Sequence, residues 1–329
     1  MARFVLVGLG HVSSHIVDAT KQVSGLTLTG GMDCNSEKKI ILPDNVRFFD
    51  SAESVWSAGD ADIIYIATPT RTHVEVAAEF ARRGYFIAVE KPIAPNRTEF
   101  NQLAIFAGSR YYTAFHASFG AEIEWLRSEQ SGLLAKTKFV SCYFADPYID
   151  KIGLASSAYS LIDPWTDSGI NALSVICRLF PDRSFRPADF RTTIDPTRGD
   201  QTVSAFVQFV EPGNSEPLIA SIACDWTLGD SLKVTKLVLA DGGEVILDHS
   251  GESAWLRESG GSAHRQFAGQ TSHPRLTNHY RALLGDLLSH YRCGTSNIEF
   301  SNRAHNLFYD ASEYGRERGH RYGIENLGR

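Results

Sequence analysis

The sequence predicts an α/β protein of two domains: a doubly wound parallel sheet over residues 1–118, and an α+β domain with a large open mixed or antiparallel sheet over residues 119–329. At 329 residues the chain exceeds the size at which a single core stops growing. Up to about residue 117, apolar runs alternate with helical patterns, which is typical of βαβ units. Beyond that point long strand patterns follow one another through turn residues, as in an antiparallel or mixed sheet.

In the first domain, five strand patterns alternate with three helix patterns. The strands are RFVLVG, LTLTGGMD, ADIIYIATP, YFIAVEKP and RYYTAFHA, and the helices are HVSSHIVDATKQV, HVEVAAEFARRG and NRTEFNQLAIFAGS. Asn96 precedes the last of these helices and Glu99 lies three residues further on, which predicts a capping box.

The second domain contains five clear strand patterns, KTKFVSCYFAD, QTVSAFVQFVE, PLIASIACDWT, LKVTKLVLAD and GEVILDHS. We expect the helices TDSGINALSVICRLFP and NHYRALLGDLLSHYRC to cover one face of this sheet, while the helix around RAHNLFYDASEYG could pack on either domain. The other face would remain apolar, which predicts a homodimer or homotetramer formed through it.

Composition excludes several functional classes. Acidic and basic residues are mixed along the chain and give a net charge of -6, so neither nucleic acid nor a membrane surface is an expected partner. No run approaches the roughly 18 apolar residues of a membrane span, and the first apolar run is too short for a signal peptide. Five cysteines without a CxxC pair favour a reduced, cytoplasmic location.

A glycine-rich turn predicts a dinucleotide site. Gly8 and Gly10 follow the first strand and open a helix, with Ser13 at the third position of the pattern. Gly8 would permit the tight turn, and Gly10 would let a pyrophosphate approach the backbone at the helix start. Asp33 ends the next strand, where an acid hydrogen-bonds the adenosine ribose. NAD is therefore the expected cofactor. NADP is the alternative, because Lys38 and Lys39 lie nearby in the sequence and could bind its phosphate. The structural alternative is a glycine turn in an α/β protein that binds no cofactor.

The segments GLGHVSSHI, MD, ATPTRTH and VEKPIA, in this order and spacing, resemble the Gfo/Idh/MocA family of oxidoreductases. The resemblance implies a Rossmann domain in which Lys91 lies beside the nicotinamide and the sugar and is catalytic. It implies that Glu90 and Pro92 shape the backbone there, with a cis bond before the proline. The implied cofactor contacts are Gly8, Gly10, His11, Val12, Asp33, Thr68, Pro69, Thr70, His73, Glu90 and Lys91.

The family's second signature, Asp-x-Gly-x-His, reads Asp167-Ser-Gly-Ile-Asn171 here, with asparagine in place of histidine. Four residues of spacing put both side chains on one helical face. Together with FHAS, which contains His116, this segment is similar to the subgroup that oxidises aldoses such as galactose or arabinose at C1. The stretch FADPYIDKIGLASSAYSLIDPW does not match that subgroup, so the residues of segment 144–165 that contact the substrate stay unassigned.

These features together predict an NAD(P)-dependent dehydrogenase acting on a sugar hydroxyl, at C1 of an aldose, without a metal. Lys91 would act as acid and base, while Asp167, Asn171 and His116 would contact the sugar. The alternatives are action on another carbon of an inositol, a sugar phosphate or a nucleotide-linked keto sugar, or a non-catalytic NAD- or sugar-sensing regulator. Each of these residues also has a structural alternative. Asp167 could be a helix N-cap and His116 a core histidine. Lys91 could be a solvated charge after a strand, and Asn171 could satisfy a buried backbone group.

Overall fold

The structure, a computed structural model, describes residues 1–108, 110–149, 161–196, 201–269 and 272–320. They form two compact units. The first unit comprises Met1–His116 and Leu276–Ser301, and the second comprises Ala117–Arg275 and the residues from Asn302 onward. The predicted fold class, a parallel doubly wound sheet followed by a large mixed sheet, is confirmed.

The first unit is built on six strands and four helices. The strands are β1 (Ala2–Val7), β2 (Leu26–Met32), β3 (Arg47–Phe49), β4 (Ile63–Ile66), β5 (Phe86–Glu90) and β6 (Tyr111–Ala114), and the helices are α1 (Ser13–Thr20), α2 (Ala52–Ala58), α3 (His73–Ala81) and α4 (Arg97–Ala107). The sheet has the order β3-β2-β1-β4-β5-β6, and every neighbouring pair is parallel. Its central strands are buried almost throughout, which explains their unbroken apolar sequences.

Parallel pairing brings the carboxyl ends of these strands to one edge of the sheet. Gly8, Asp33, Ala67 and Lys91 each directly follow a strand, so all four lie at this edge. The predicted capping box at the start of α4 is also present, because the Glu99 N–H donates to Asn96 Oδ1 at 2.9 Å.

The second unit contains an eight-stranded sheet. In chain order its elements are α5 (Ala121–Glu129), α6 (Ser131–Ala135), β7 (Thr137–Ala145), a π-helical turn (Trp165–Gly169), α7 (Ile170–Leu179), β8 (Arg186–Asp195), β9 (Gln201–Val210), β10 (Ile219–Asp225), β11 (Leu232–Leu239), β12 (Glu244–Asp248), β13 (Ser253–Arg257) and β14 (Ala263–Ala268). The order is β14-β13-β12-β11-β7-β10-β9-β8. All neighbours are antiparallel except β7 and β10, so the sheet is mixed.

One face of this sheet is covered. In β7 the side chains of Val140, Cys142 and Phe144 are buried, whereas those between them remain partly exposed, and α7 packs against β7 and β10. This alternation has the period of two expected for a strand with one covered face.

Two long helices, α8 (Arg275–Cys293) and α9 (Ile298–Glu317), follow the eight-stranded sheet. The expectation that NHYRALLGDLLSHYRC covers the second sheet is wrong, because this helix belongs to the first unit. There the Tyr112 hydroxyl donates to Asp286 Oδ2 at 2.7 Å. The side chain of Asn297 also pairs with both backbone groups of Thr113, at 2.9 and 2.8 Å, and so satisfies part of the free edge of β6.

Candidate functional site

The glycine turn has the geometry that its sequence predicts. Gly8 has a φ of +90°, and a Cβ there would lie 2.7 Å from backbone atoms of Ala67 and Thr68. A Cβ added at Gly10 would have no heavy atom of the described residues within 4 Å, apart from those of its neighbours in the chain. The first glycine is therefore required by the turn itself, whereas the second leaves open space at the helix start, where a pyrophosphate binds in such folds.

Two side chains hold this turn in place. The buried Ser13, which replaces the third glycine of the pattern, donates its hydroxyl to the Gly8 carbonyl at 2.9 Å. Asp33 Oδ2 accepts the Leu9 N–H at 2.8 Å, and its Oδ1 accepts the Asn35 N–H at 2.9 Å. Asp33 thus ties the end of β2 to the turn and fixes a carboxylate beside it. Since a carboxylate there repels a 2′-phosphate, the arrangement fits NAD.

The helix that follows the turn begins without a side-chain cap. Val12 occupies the N-cap position, and no side chain of the described residues caps it, while His11 before it is exposed. Uncapped N–H groups at a helix start attract anions. The open space at Gly10 and this helix start therefore fit the phosphates of a dinucleotide.

The segment Thr68–His73 lies next to the glycine turn and is held by the histidine. The ring of His73 is buried, with Nε2 2.6 Å from the Thr68 carbonyl oxygen and Nδ1 2.9 Å from the Pro92 carbonyl oxygen. Burial lowers the pKa of His73, although the two carbonyl oxygens act in the opposite direction. Pro69 is exposed and Thr70 is buried. His73 therefore joins the loop after β4 to the loop after β5.

Lys91 follows a buried carboxylate at the end of β5. Glu90 is 7% exposed, and its Oε1 accepts the hydroxyl groups of Tyr65 and Tyr280, both at 2.8 Å. Burial raises the pKa of Glu90, and the hydrogen bonds and the charge of Lys91 partly oppose this. Lys91 itself is half-buried, and the expected cis bond joins it to Pro92.

His116 lies close to the same group. It follows β6 and is 9% exposed, and its ring centroid is 5.3 Å from that of Tyr280 and 6.2 Å from that of His279. Through Tyr280 the first unit thus brings His116 near Glu90 and Lys91. The aromatic contacts are compatible both with a core histidine and with a substrate contact.

The second unit carries Asp167 and Asn171. Asp167 lies in the π-helical turn and is 8% exposed, and the Asn171 amide donates to the Asp167 carbonyl oxygen at 3.2 Å. Asn171 Oδ1 is buried and has no hydrogen-bond partner among the described residues. Asp167 is not an N-cap, because it lies inside the π-helical turn and Gly169 precedes α7 as its N-cap. Upstream, Asp163 Oδ1 accepts the Thr166 N–H at 2.7 Å.

Gly169, the glycine between Asp167 and Asn171, is required by the packing of a tryptophan ring. A Cβ at Gly169 would lie 2.2 Å from the Trp165 ring, which stacks on Phe308 and donates its N–H to Ser312 at 2.9 Å. Trp226 is fully buried and packs against Tyr148.

A buried ion pair supports the π-helical turn. Lys233 Nζ lies 2.5 Å from Asp146 Oδ1, and the Ser168 hydroxyl donates to Asp146 Oδ2 at 3.3 Å. Burial lowers the pKa of Lys233, while the Asp146 carboxylate acts against that change. Ser168 directly follows Asp167 in the chain, so the pair anchors the turn that carries this carboxylate.

Sequence reasoning missed several of these groups. Tyr65 could have been found, because a tyrosine in an otherwise apolar buried strand needs a partner for its hydroxyl. Tyr280, Asp146 and Lys233 gave no local signal. Within the described ranges, no cluster of side chains could hold a metal ion, and no helix is long and apolar enough to span a membrane.

Residues 2–114 match the model of the GFO_IDH_MocA oxidoreductase family, described as an NAD-binding Rossmann fold. The matched residues cover the six strands of the parallel sheet. The first unit thus contains an NAD-binding Rossmann fold, as the glycine turn predicts.

Known proteins similar to this chain include the rhizopine catabolism protein MocA of Rhizobium meliloti. The two are 31% identical over 147 residues, which are 43% of this chain and 46% of that relative, so the match spans less than half of its length.

Solved structures share the fold over nearly the whole chain. An oxidoreductase from Agrobacterium radiobacter in complex with NAD+, L-tartaric acid and magnesium has a TM-score of 0.76 at 14% identity, covering 95% of this chain and 97% of that one. The D-galactose-1-dehydrogenase protein from Rhizobium etli has a TM-score of 0.75 at 17% identity, covering 95% and 94%. A UDP-N-acetylglucosamine 3-dehydrogenase from Acidithiobacillus ferrooxidans has 0.74 at 18%, covering 95% and 96%. At these identities the likeness concerns the fold alone.

Proposed function

We propose that this protein is an NAD-dependent dehydrogenase that oxidises the C1 hydroxyl of an aldose. In this proposal residues 1–118 bind the cofactor, and residues 119–329 bind the sugar and form the contact between copies. The observation that carries it is the position of Lys91, which follows the buried Glu90 at the carboxyl edge of a Rossmann sheet and is joined through Pro92 and His73 to the Thr68 loop.

The cofactor supplies a hydride acceptor when it is bound. Its proposed contacts are Gly8, Gly10, His11, Val12, Asp33, Thr68, Pro69, Thr70, His73, Glu90 and Lys91. The open space at Gly10 and the uncapped start of α1 support the phosphate part of this assignment. The Asp33 carboxylate supports NAD over NADP.

Oxidation of a hydroxyl removes a proton from its oxygen and a hydride from its carbon. We assign the proton to the Lys91 amine, which becomes an ammonium and later releases it to water, while the hydride passes to the nicotinamide. Asn171 cannot replace a histidine in this step, because an amide hydrogen-bonds but does not accept a proton near neutral pH. An anomeric hydroxyl is more acidic than an ordinary alcohol, so C1 oxidation demands less of a single lysine base.

Asp167 and Asn171 are proposed to orient the sugar, with His116 as a further contact. The unpartnered acceptor Asn171 Oδ1 supports this role, because a buried carbonyl oxygen without a donor is costly and a sugar hydroxyl would satisfy it. The fold shared with a D-galactose-1-dehydrogenase is compatible with an aldose substrate.

A substrate screen tests the reaction. Purified protein is incubated with free aldoses, inositols, sugar phosphates and nucleotide sugars, each with NAD and with NADP, and nicotinamide absorbance is followed. We expect turnover with NAD and an aldose. Turnover only with an inositol, a sugar phosphate or a nucleotide sugar would move the reaction to another carbon, and NAD binding without turnover on any substrate would favour a regulator.

Replacing Lys91 tests the assigned base. Lys91→Met should lower kcat by at least about 100-fold, the range for loss of a general base, with the Kd for NAD within about threefold of wild type. Lys21→Met is the matched control, because Lys21 is exposed and pairs with Asp18 at the surface of α1. Near-normal turnover by Lys91→Met would refute the assignment.

The open face of the second sheet is the proposed contact between copies. Phe206, Leu232 and Trp255 are exposed by 38%, 38% and 36% on β9, β11 and β13. Exposed apolar surface on one sheet face is typical of an oligomer interface. A clean monomer in sedimentation at micromolar concentration would contradict a homodimer or homotetramer.

A further inference from the structure

The first turn of α1 contacts a residue from a distant part of the chain. His15, the third residue of α1, has its Nδ1 3.1 Å from the hydroxyl oxygen of Thr277, the third residue of α8. Thr277 is 2% exposed and His15 is half-buried, and 262 positions separate them in the sequence. The contact thus joins the start of α1, where the phosphates of a dinucleotide fit, to a segment outside the glycine pattern.

The helix that supplies Thr277 is fixed to the parallel sheet near both of its ends. Near its start, Tyr280 donates its hydroxyl to Glu90, the last residue of β5, at 2.8 Å. Near its end, the ring of Tyr291 lies 5.7 Å from that of Phe86, the first residue of β5. α8 therefore runs antiparallel to β5, and its first turn lies at the carboxyl edge of the sheet, where cofactors bind in such folds.

α1, by contrast, has little support of its own. It is eight residues long, and no side chain of the described residues caps its start at Val12. Helices this short are marginal by themselves, and their ends fray. The N–H groups of the first turn have no partner inside the helix, and they are the donors that a phosphate uses. Ser13 and His15 project from different sides of this turn, and they fix it to the Gly8 carbonyl and to Thr277.

We propose that Thr277 is a positioning residue for NAD, which acts through His15. It holds the first turn of α1 against the fixed helix α8, and so keeps the N–H groups of α1 directed at the cofactor phosphates. Losing one such hydrogen bond should change the affinity for NAD by about three- to tenfold. The inference rests on the proposed placement of the phosphates at Gly10 and α1, and it does not depend on the substrate or on hydride transfer.

Thr277→Val is the decisive variant, because it keeps the shape of the side chain and removes the hydroxyl. We expect the Kd for NAD, measured by calorimetry, to rise about three- to tenfold. Thr277→Ser retains the hydroxyl, so its Kd should stay within about twofold of wild type. Thr20→Val is the matched control and should also stay within about twofold, since Thr20 is buried and bonded to the Ile16 carbonyl at 2.8 Å but is the last residue of α1.

A double-mutant cycle distinguishes this positioning from a general loss of structure. His15→Ala removes the other partner at a half-buried position, so it should raise the Kd by a similar factor even if Thr277→Val folds poorly. If both residues act through one contact, the double variant should lose no more affinity than His15→Ala alone. By linkage, NAD should also slow hydrogen exchange of the amides of residues 276–280 in the wild-type protein, and much less so in Thr277→Val.

Several results would overturn the inference: wild-type NAD affinity in Thr277→Val or in His15→Ala, losses that add in the double variant, or an equal loss in Thr20→Val. Gly10→Ala tests the placement of the phosphates separately. If Gly10→Ala weakens NAD binding and Thr277→Val does not, the placement stands and the role of Thr277 is refuted. Wild-type affinity in Gly10→Ala would refute the placement, and this inference with it.

Discussion

Replacing Gly8 by alanine perturbs the turn that precedes α1 in a way that can be calculated from two features of its geometry. The φ of +90° lies in a region that costs a residue with a Cβ about 1–2 kcal/mol. The new Cβ would also lie 2.7 Å from three backbone atoms of Ala67 and Thr68, against an ordinary contact of at least 3.4 Å. Such overpacking costs a further 1–3 kcal/mol, roughly. We therefore expect a loss of about 2–5 kcal/mol.

Gly10→Ala is the control, because its Cβ meets open space in the described residues and should change stability little. Thermal unfolding is measured with and without NAD, and NAD affinity is measured by calorimetry. Gly8→Ala should lower the Tm of the cofactor-free protein by at least about 4 °C, at the 2–4 °C per kcal/mol typical of domains this size. Gly10→Ala should keep that Tm and lose most of the stabilisation by NAD. A wild-type Tm for Gly8→Ala, or wild-type NAD affinity for Gly10→Ala, would refute the reasoning.

Three further changes test other parts of the structure. Lys233→Met leaves Asp146 buried without its cation and should lower the free energy of unfolding, measured in urea, by about 3 kcal/mol. Lys236 lies on the same strand but is 40% exposed, so Lys236→Met should lower it by about 1 kcal/mol or less. Equal losses in the two variants would contradict the ion-pair argument. Asn171→Ala removes an acceptor that lacks a partner in the described chain, so it should raise the sugar KM about tenfold with an unchanged Kd for NAD; an unchanged KM argues against sugar contact. Burial lowers the pKa of His73, so as the pH falls below about 6.5 the histidine is protonated in the unfolded chain before it is protonated in the folded one, and the free energy of unfolding decreases. His73→Gln should therefore reduce the difference between the urea midpoints measured at pH 7.5 and 5.5. An unchanged difference would show that His73 does not cause the pH dependence.

The features predictable from sequence are those with local causes. The turn at Gly8, the capping of α4 by Asn96 and five of the six strands of the parallel sheet each follow from a few neighbouring residues. The short strand β3 was not predicted. Strands β8 and β14 gave no clear pattern, because Phe190 is the buried residue of β8 and β14 is almost wholly exposed. A strand at a sheet edge can lack the alternation on which a prediction depends.

The same distinction between local and long-range causes applies to the residues of the candidate site. Lys91 and Asp33 follow strands, so their place at the sheet edge could be predicted from the sequence, whereas a role for Lys91 was implied by the family resemblance. The contacts that hold Glu90 and Asp146 could not be predicted, since Tyr280 lies 190 residues from Glu90 and Lys233 lies 87 from Asp146. Contacts over such separations depend on tertiary packing, and no local propensity encodes them.

The return of Leu276–Ser301 to the first unit has a consequence for biosynthesis. During synthesis all six strands of the parallel sheet emerge from the ribosome long before Tyr280 and Asn297 are made. At that stage Glu90 lacks the hydrogen bond from Tyr280, and the edge of β6 lacks the side chain of Asn297. The first unit therefore reaches its final form only when the last part of the chain has emerged. A fragment of residues 1–118 would expose the unpaired edge of β6, which can pair with another chain and cause aggregation. Because the first unit is built from two separate segments, a single cut in the chain cannot separate the two units intact.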